Sequence, residues 1–158
     1  TQPMSGLELY IKDEEAMTQL GHALAKQSAG HGIIFLQGDL GAGKTTLSRG
    51  ILRGLGHTGA VKSPTFTLVE PYEIGSVRAW HFDLYRLAEP EELEYLGIRD
   101  YFADDDLCLI EWPQQGQGYL PQPDLEITIK THNDGRIVRL LPNSTRGESW
   151  CVALATLT

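Results

Sequence analysis

Long hydrophobic runs are missing from this sequence. No stretch approaches the roughly 18 apolar residues that a membrane-spanning helix needs, so no span is expected. Positive charge is scarce too: 13 Lys and Arg stand against 21 Asp and Glu, a formal charge of -8. That balance argues against a surface built to grip nucleic acid by counterion release, which takes basic residues massed on one face. The densest basic group, Arg136 to Arg139 with Arg146, reads as solvated charges on strand faces. Cysteine is limited to Cys108 and Cys151, in the apolar, strand-like runs LCLIEW and WCVALATL, and both read as reduced core residues rather than a disulfide or redox pair. The leading stretch TQPMSGLELYIKDEE has acids where a secretory leader has a basic region, so the expected location is cytoplasmic. Internal repeats and low-complexity linkers are absent as well, and the length of 158 residues fits one domain with one sizeable core.

What is present alternates between strand and helix signals. LELYIK (Leu7 to Lys12) reads as a short strand, and DEEAMTQLGHALAKQSAG as a helix. Asp13 is its N-cap, Met17, Leu20 and Leu24 form its apolar stripe, and Gly30 stops it. IIFLQ (Ile33 to Gln37) is apolar at consecutive positions, as a buried parallel strand requires. A helix is expected from about Lys44 to Leu55, closed by Gly56. Between Phe66 and Tyr85 two β-prone runs flank Gly75-Ser76, a hairpin signal. Pro90 opens a short helix that Gly97 ends, and LCLIEW is a second buried strand. The tail after Pro123 reads as three alternating strands, with Asp134-Gly135 at the first turn. Together these predict an α/β protein: a P-loop nucleotide-binding three-layer sandwich, with a short parallel central sheet flanked by antiparallel strands.

Gly38-Asp39-Leu40-Gly41-Ala42-Gly43-Lys44-Thr45 fits G-x-x-x-x-G-K-[ST], with a strand before it and a helix after it, and Thr46 following. The glycines let the backbone curl so that successive N–H groups face phosphate oxygens, and the helix adds its positive end. Lys44 is then expected to reach the β- and γ-phosphates, and the Thr45 hydroxyl to ligate Mg²⁺. No N-K-x-D base reader follows, which favours ATP over a guanine nucleotide.

Such a site needs a carboxylate for the metal, normally at the end of a neighbouring buried strand. Glu111, closing LCLIE, is the candidate metal residue beside Thr45. Asp83 is a second acid. Alternation places it with Ala79, His81 and Tyr85 on one face, and two readings stay open: a core-facing acid held near a metal, or an edge-strand acid facing solvent. His81 reads as an ordinary core histidine rather than half of a metal pair. In VKSPTFTLVE, Thr65, with Ser63 and Thr67 as alternatives, is the residue a switch loop would bring to the γ-phosphate side, unless the segment is a plain connection. Trp112 is either a buried aromatic or a sensor of the acid beside it.

GDLGAGKTT, SPTFTLVEPY, HFDLYRL and LIEWP, in this order and at this spacing, resemble the TsaE family of small bacterial P-loop ATPases, which serve threonylcarbamoyladenosine synthesis at position 37 of tRNAs. The resemblance runs from about Leu7 to Pro123. It implies ATP and Mg²⁺ at Gly38 to Thr46, catalytic roles for Lys44, Thr65, Asp83 and Glu111, and a place for Trp112 at the site. It also implies a TsaB–TsaD pair as partner, with tRNA met only through that pair and no membrane. One departure stands out: many members follow the Trp with an acid, whereas Trp112 is followed by Pro113, Gln114 and Gln115. The reading is a partner-activated ATP hydrolase. Its alternatives are a small-molecule kinase, for which lid arginines are lacking apart from Arg99, and an assembly module that responds to ATP occupancy.

Overall fold

A computed structural model describes residues 6–62, 64 and 67–156. Its sheet has seven strands in the order β1-β7-β6-β2-β5-β4-β3. These are β1 (Leu7–Ile11), β2 (Gly32–Gln37), β3 (Val69–Ile74), β4 (Val77–Asp83), β5 (Leu107–Glu111), β6 (Leu125–His132) and β7 (Gly135–Pro142). β2 runs parallel to both β5 and β6, and β4 parallel to β5, while β1, β7 and β3 pair antiparallel. The parallel centre therefore holds four strands rather than the two expected. The second strand of the hairpin, β4, and the first tail strand, β6, both join it, because each is buried on the inside of the sheet by a neighbour far away in sequence. Gly75, at φ 61°, turns the β3–β4 hairpin as expected. At the β6–β7 turn the left-handed residue is Asn133 (φ 53°), and Gly135 already belongs to β7.

One face of the sheet is covered by α1 (Glu14–Ser28), α2 (Lys44–Gly54) and α4 (Thr145–Ala155). Leu24, Leu47, Ile51 and Leu154 from these helices meet Ile34, Leu36, Leu109 and Ile127 from the strands in one buried cluster. Asp13 caps α1 by accepting from the Ala16 N–H at 2.8 Å. The expected third tail strand is instead helix α4. Ser144 caps it by accepting from the Gly147 N–H at 3.0 Å, and Gly147, Trp150, Cys151 and Leu154 recur at helical spacing on its buried side. The opposite face, over β4 and β5, is covered by α3 (Glu92–Tyr95) and adjoining 3-10 turns, with Phe82, Leu84, Leu93, Ile98 and Ile110 at the centre of a second cluster. Cys108 and Cys151 are buried and unpaired. No helix among the described residues is long and apolar enough to cross a membrane.

α1 and α2 approach through glycine. A Cβ at Gly21 would stand 2.7 Å from the Gly50 carbonyl carbon and the Ile51 nitrogen, and one at Gly50 would stand 2.8 Å from the Thr18 oxygen. This contact sets the axis of α2, and with it the position of Lys44 at its first turn.

Candidate functional site

The C-terminal ends of the parallel strands lie side by side. Register pairs Leu36 of β2 with Glu111 of β5, and Glu111 with Asp83 of β4. The glycine loop leaves β2 at the same level, so residues far apart in sequence converge at one edge, the usual crevice position of open α/β sheets. Gly38, Gly41 and Gly43 all have positive φ (152°, 80° and 120°). Gly38 has no room for a side chain, since a Cβ there would sit 2.7 Å from the Ile129 carbonyl oxygen. The Ala42 N–H closes the loop on the Asp39 carbonyl at 3.0 Å. Ala42 is buried beneath the loop, whereas Leu40 projects from its tip, 66% exposed. α2 then begins at Lys44 with no side-chain cap and no acid in its first turn, so its first N–H groups keep their capacity for an anion. Thr45 and Thr46 lie half-buried in that turn.

Lys44, Asp83 and Glu111 form a buried polar group, with exposures of 5%, 7% and 3%. The Lys44 ammonium donates to the carbonyl of Gly38 and, at 3.2 Å, to that of Asp39. It lies 4.2 Å from the Trp112 ring centre, a cation–π contact. Burial lowers its pKa below the ordinary lysine value, while the charges of Glu111, Asp83 and Asp39 oppose that shift. The second reading of Asp83, an edge acid facing solvent, is therefore set aside: it faces inward beside the lysine. Its Oδ1 accepts from the Tyr85 N–H at 3.0 Å, and its own N–H donates to the Leu68 carbonyl at 3.0 Å.

Trp112 is only partly buried and holds a left-handed backbone (φ 58°), as does Leu68 (φ 68°). Bulky side chains rarely adopt that conformation, and both cases lie beside the acids. The Trp112 N–H donates to the Leu36 carbonyl at 3.3 Å, and its ring packs against Tyr85 at 4.9 Å. Of the residues read as a switch, Ser63 and Thr65 lie outside the described residues, while Thr67 is exposed and donates to Glu70 Oε1 at 3.0 Å.

Two contributors escaped the sequence reading. His81 is fully buried, and its Nε2 lies 2.6 Å from Glu111 Oε2. Arg136 is no solvated charge: its Nε donates to the Ala42 carbonyl at 2.8 Å, 94 positions away, tying β7 to the loop. By contrast Arg139 pairs with Glu8 at 2.7 Å on the surface, and Arg146, on α4, forks onto Asp105 at 2.9 and 3.0 Å. Beside the loop lies a cleft of about 290 Å³ between Ile11 to Glu14, Met17 and Thr46 on one side and Asp134 to Arg136 on the other. Among the described residues no group of three or more His, Cys, Asp or Glu side chains is arranged to hold a metal ion unaided.

The family model described as threonylcarbamoyl adenosine biosynthesis protein TsaE matches residues 11–138, a span that takes in the loop, both acids and Arg136. The chain belongs to the TsaE family. A relative from Haemophilus influenzae, named tRNA threonylcarbamoyladenosine biosynthesis protein TsaE, is 49% identical over 92% of this chain and 96% of its own length. A protein of the same name from Bacillus subtilis is 38% identical over 91% of this chain and 89% of its own. In three dimensions this TsaE-family chain resembles the crystal structure of Bacillus subtilis YdiB, with a TM-score of 0.84 and 31% identity over 99% of both chains.

Proposed function

We propose that this protein is an ATP hydrolase that supports threonylcarbamoyladenosine synthesis on tRNA and is switched on by a TsaB–TsaD pair. The observation that carries the proposal is the convergence of Lys44, Asp83 and Glu111 at the mouth of a glycine loop. A buried lysine whose ammonium is bonded to loop carbonyls, next to an uncapped helix start, is a cradle for a polyphosphate. The two acids beside it suit Mg²⁺, which typically leans on one or two carboxylates and substrate phosphates. Family membership supports the tRNA modification role.

Each side chain then has a task. The loop N–H groups and the α2 N-terminus bind phosphate oxygens, and Lys44 exchanges its carbonyl partners for the β- and γ-phosphates. Thr45 and Glu111 would hold Mg²⁺, which would supply positive charge to offset that of the phosphates. Asp83 orients the attacking water, and Thr65 reports the γ-phosphate. The cleft beside Ile11 to Glu14 and Arg136 takes the nucleoside. The chain itself need not grip RNA, in keeping with its charge of -8.

The test is phosphate release from ATP by the purified chain, alone and with TsaB–TsaD, with Lys44→Ala as the blank. A slow basal rate that the pair raises, and that the blank abolishes, is the expected result. A rate that neither the pair nor the Lys44 substitution changes would remove the proposal. If Glu111→Ala binds ATP, hydrolyses none and still supports modification, occupancy rather than hydrolysis is the function.

A further inference from the structure

His81 is the one fully buried ionisable ring among the described residues, and no task above uses it. It lies on β4 with its register partner Leu109 on β5, and reaches two residues along β5 to Glu111. The 2.6 Å contact is short for a nitrogen-to-carboxylate bond. A carboxylate only accepts, so Nε2 carries the proton and donates. The other ring nitrogen, Nδ1, is buried with no hydrogen-bond partner. A core that wanted only bulk at this position would be better served by an apolar side chain, since a buried polar atom without a partner is costly. What the ring adds, beyond volume, is one directed bond to Glu111 Oε2.

We propose that His81 is a positioning residue that fixes the Glu111 carboxylate, engaging Oε2 and leaving Oε1 as the oxygen available to Mg²⁺. The inference rests on the Mg²⁺–nucleotide reading of the site. Hydrogen-bond partners of metal-binding carboxylates typically contribute about 10–100-fold in metal affinity.

The experiment is calorimetric binding of ADP to the full chain, from EDTA to saturating Mg²⁺, for the wild type, His81→Leu and His81→Gln. Leu keeps bulk without a donor, and the Gln amide N–H reaches about as far as imidazole Nε2. The expected result is unchanged Mg²⁺-free ADP affinity in all three, with half-saturating Mg²⁺ raised about 10–100-fold by Leu and restored by Gln. His81→Leu with wild-type Mg²⁺ dependence overturns the inference, as does His81→Gln impaired as severely as Leu. Should His81→Leu not fold, long-range ¹H–¹⁵N spectra of the wild-type imidazoles decide. An Nε2–H tautomer whose proton signal moves when Mg²⁺ joins the ADP complex supports the role. An Nδ1–H tautomer, or a signal indifferent to Mg²⁺, overturns it. A wild type that binds no ADP under either condition refutes the nucleotide reading itself, a result distinct from both.

Discussion

Gly21→Ala sets two well-understood effects against each other with opposite signs. In the interior of α1, replacing Gly by Ala should stabilise the helix by about 1 kcal/mol. The added Cβ, however, would stand 2.7 Å from backbone atoms of Gly50 and Ile51, some 0.7 Å inside an ordinary contact of 3.4 Å. Backbone cannot swing aside as a side chain can, so α2 must shift bodily. Overpacking of this kind costs about 1–3 kcal/mol, and contact with backbone puts it at the upper end. The net expectation is destabilisation by about 1–2 kcal/mol, or a melting temperature lower by about 2–8 °C in a protein of this size. Because α2 starts at Lys44, the same shift moves that lysine, and under the proposed function misplacement approaching 1 Å can cost up to about 100-fold in rate. Thermal unfolding of wild type and Gly21→Ala, each with and without ADP and Mg²⁺, reads both effects. A melting temperature that rises by about 2–4 °C, as helix propensity alone dictates, would refute the close approach and its control over the loop.

Arg136→Ala removes the bond from β7 to the Ala42 carbonyl, worth about 1.5–3 kcal/mol for a charged donor, and should weaken ADP binding by roughly tenfold in calorimetry while leaving the far-ultraviolet dichroism unchanged. Burial pushes the Cys108 thiol up to about 12 and raises that of Cys151 as well. Both should therefore resist alkylation in the native state at neutral pH and react when denaturant opens the fold, as mass spectrometry would show. Hydrogen bonding to Arg146 holds the Asp105 carboxyl below its ordinary pKa, so the stability this pair adds is complete above the ordinary aspartate value and is lost as pH falls through the lowered one. Both side chains are substantially exposed, 56% and 41%, which limits the effect to about 0.5–1 kcal/mol. The stability gap between wild type and Asp105→Asn in urea should close as pH is lowered through the acidic range, and a constant gap would contradict the pairing.

Features encoded within a few residues were legible in the sequence. The Asp13 cap, the Gly75-Ser76 hairpin and the strand–loop–helix around Gly38 to Thr45 are each set by neighbours along the chain, and all three appear where expected. Glu111 was legible as an acid at a strand end and Asp83 as an acid within a β-prone run, core-facing or solvent-facing, but that they sit side by side depends on the β4–β5 register, which no local pattern states. The same holds for His81, whose partner is 30 positions away, and for Arg136. WCVALATL misled because its apolar run suits a strand as well as a helix. The deciding signs were the Ser144 cap and the spacing of Gly147, Trp150, Cys151 and Leu154. The parallel strand count was low because β6 looks, by itself, like the first arm of a simple hairpin.

The placement of β2 at the middle of the sheet has a consequence for biosynthesis. The strand that launches the glycine loop is made early, at residues 32–37, yet its two neighbours are residues 107–111 and 125–132. β1, made earlier still, waits for β7 at 135–142. On the ribosome the loop therefore emerges long before any strand that can hold it. Glu111 and then Arg136 arrive in sequence behind it, so a nascent chain halted near residue 124 offers β2 one neighbour and β1 none. Closing such long-range pairings is slow, and the proposed nucleotide site is complete only in nearly finished chains.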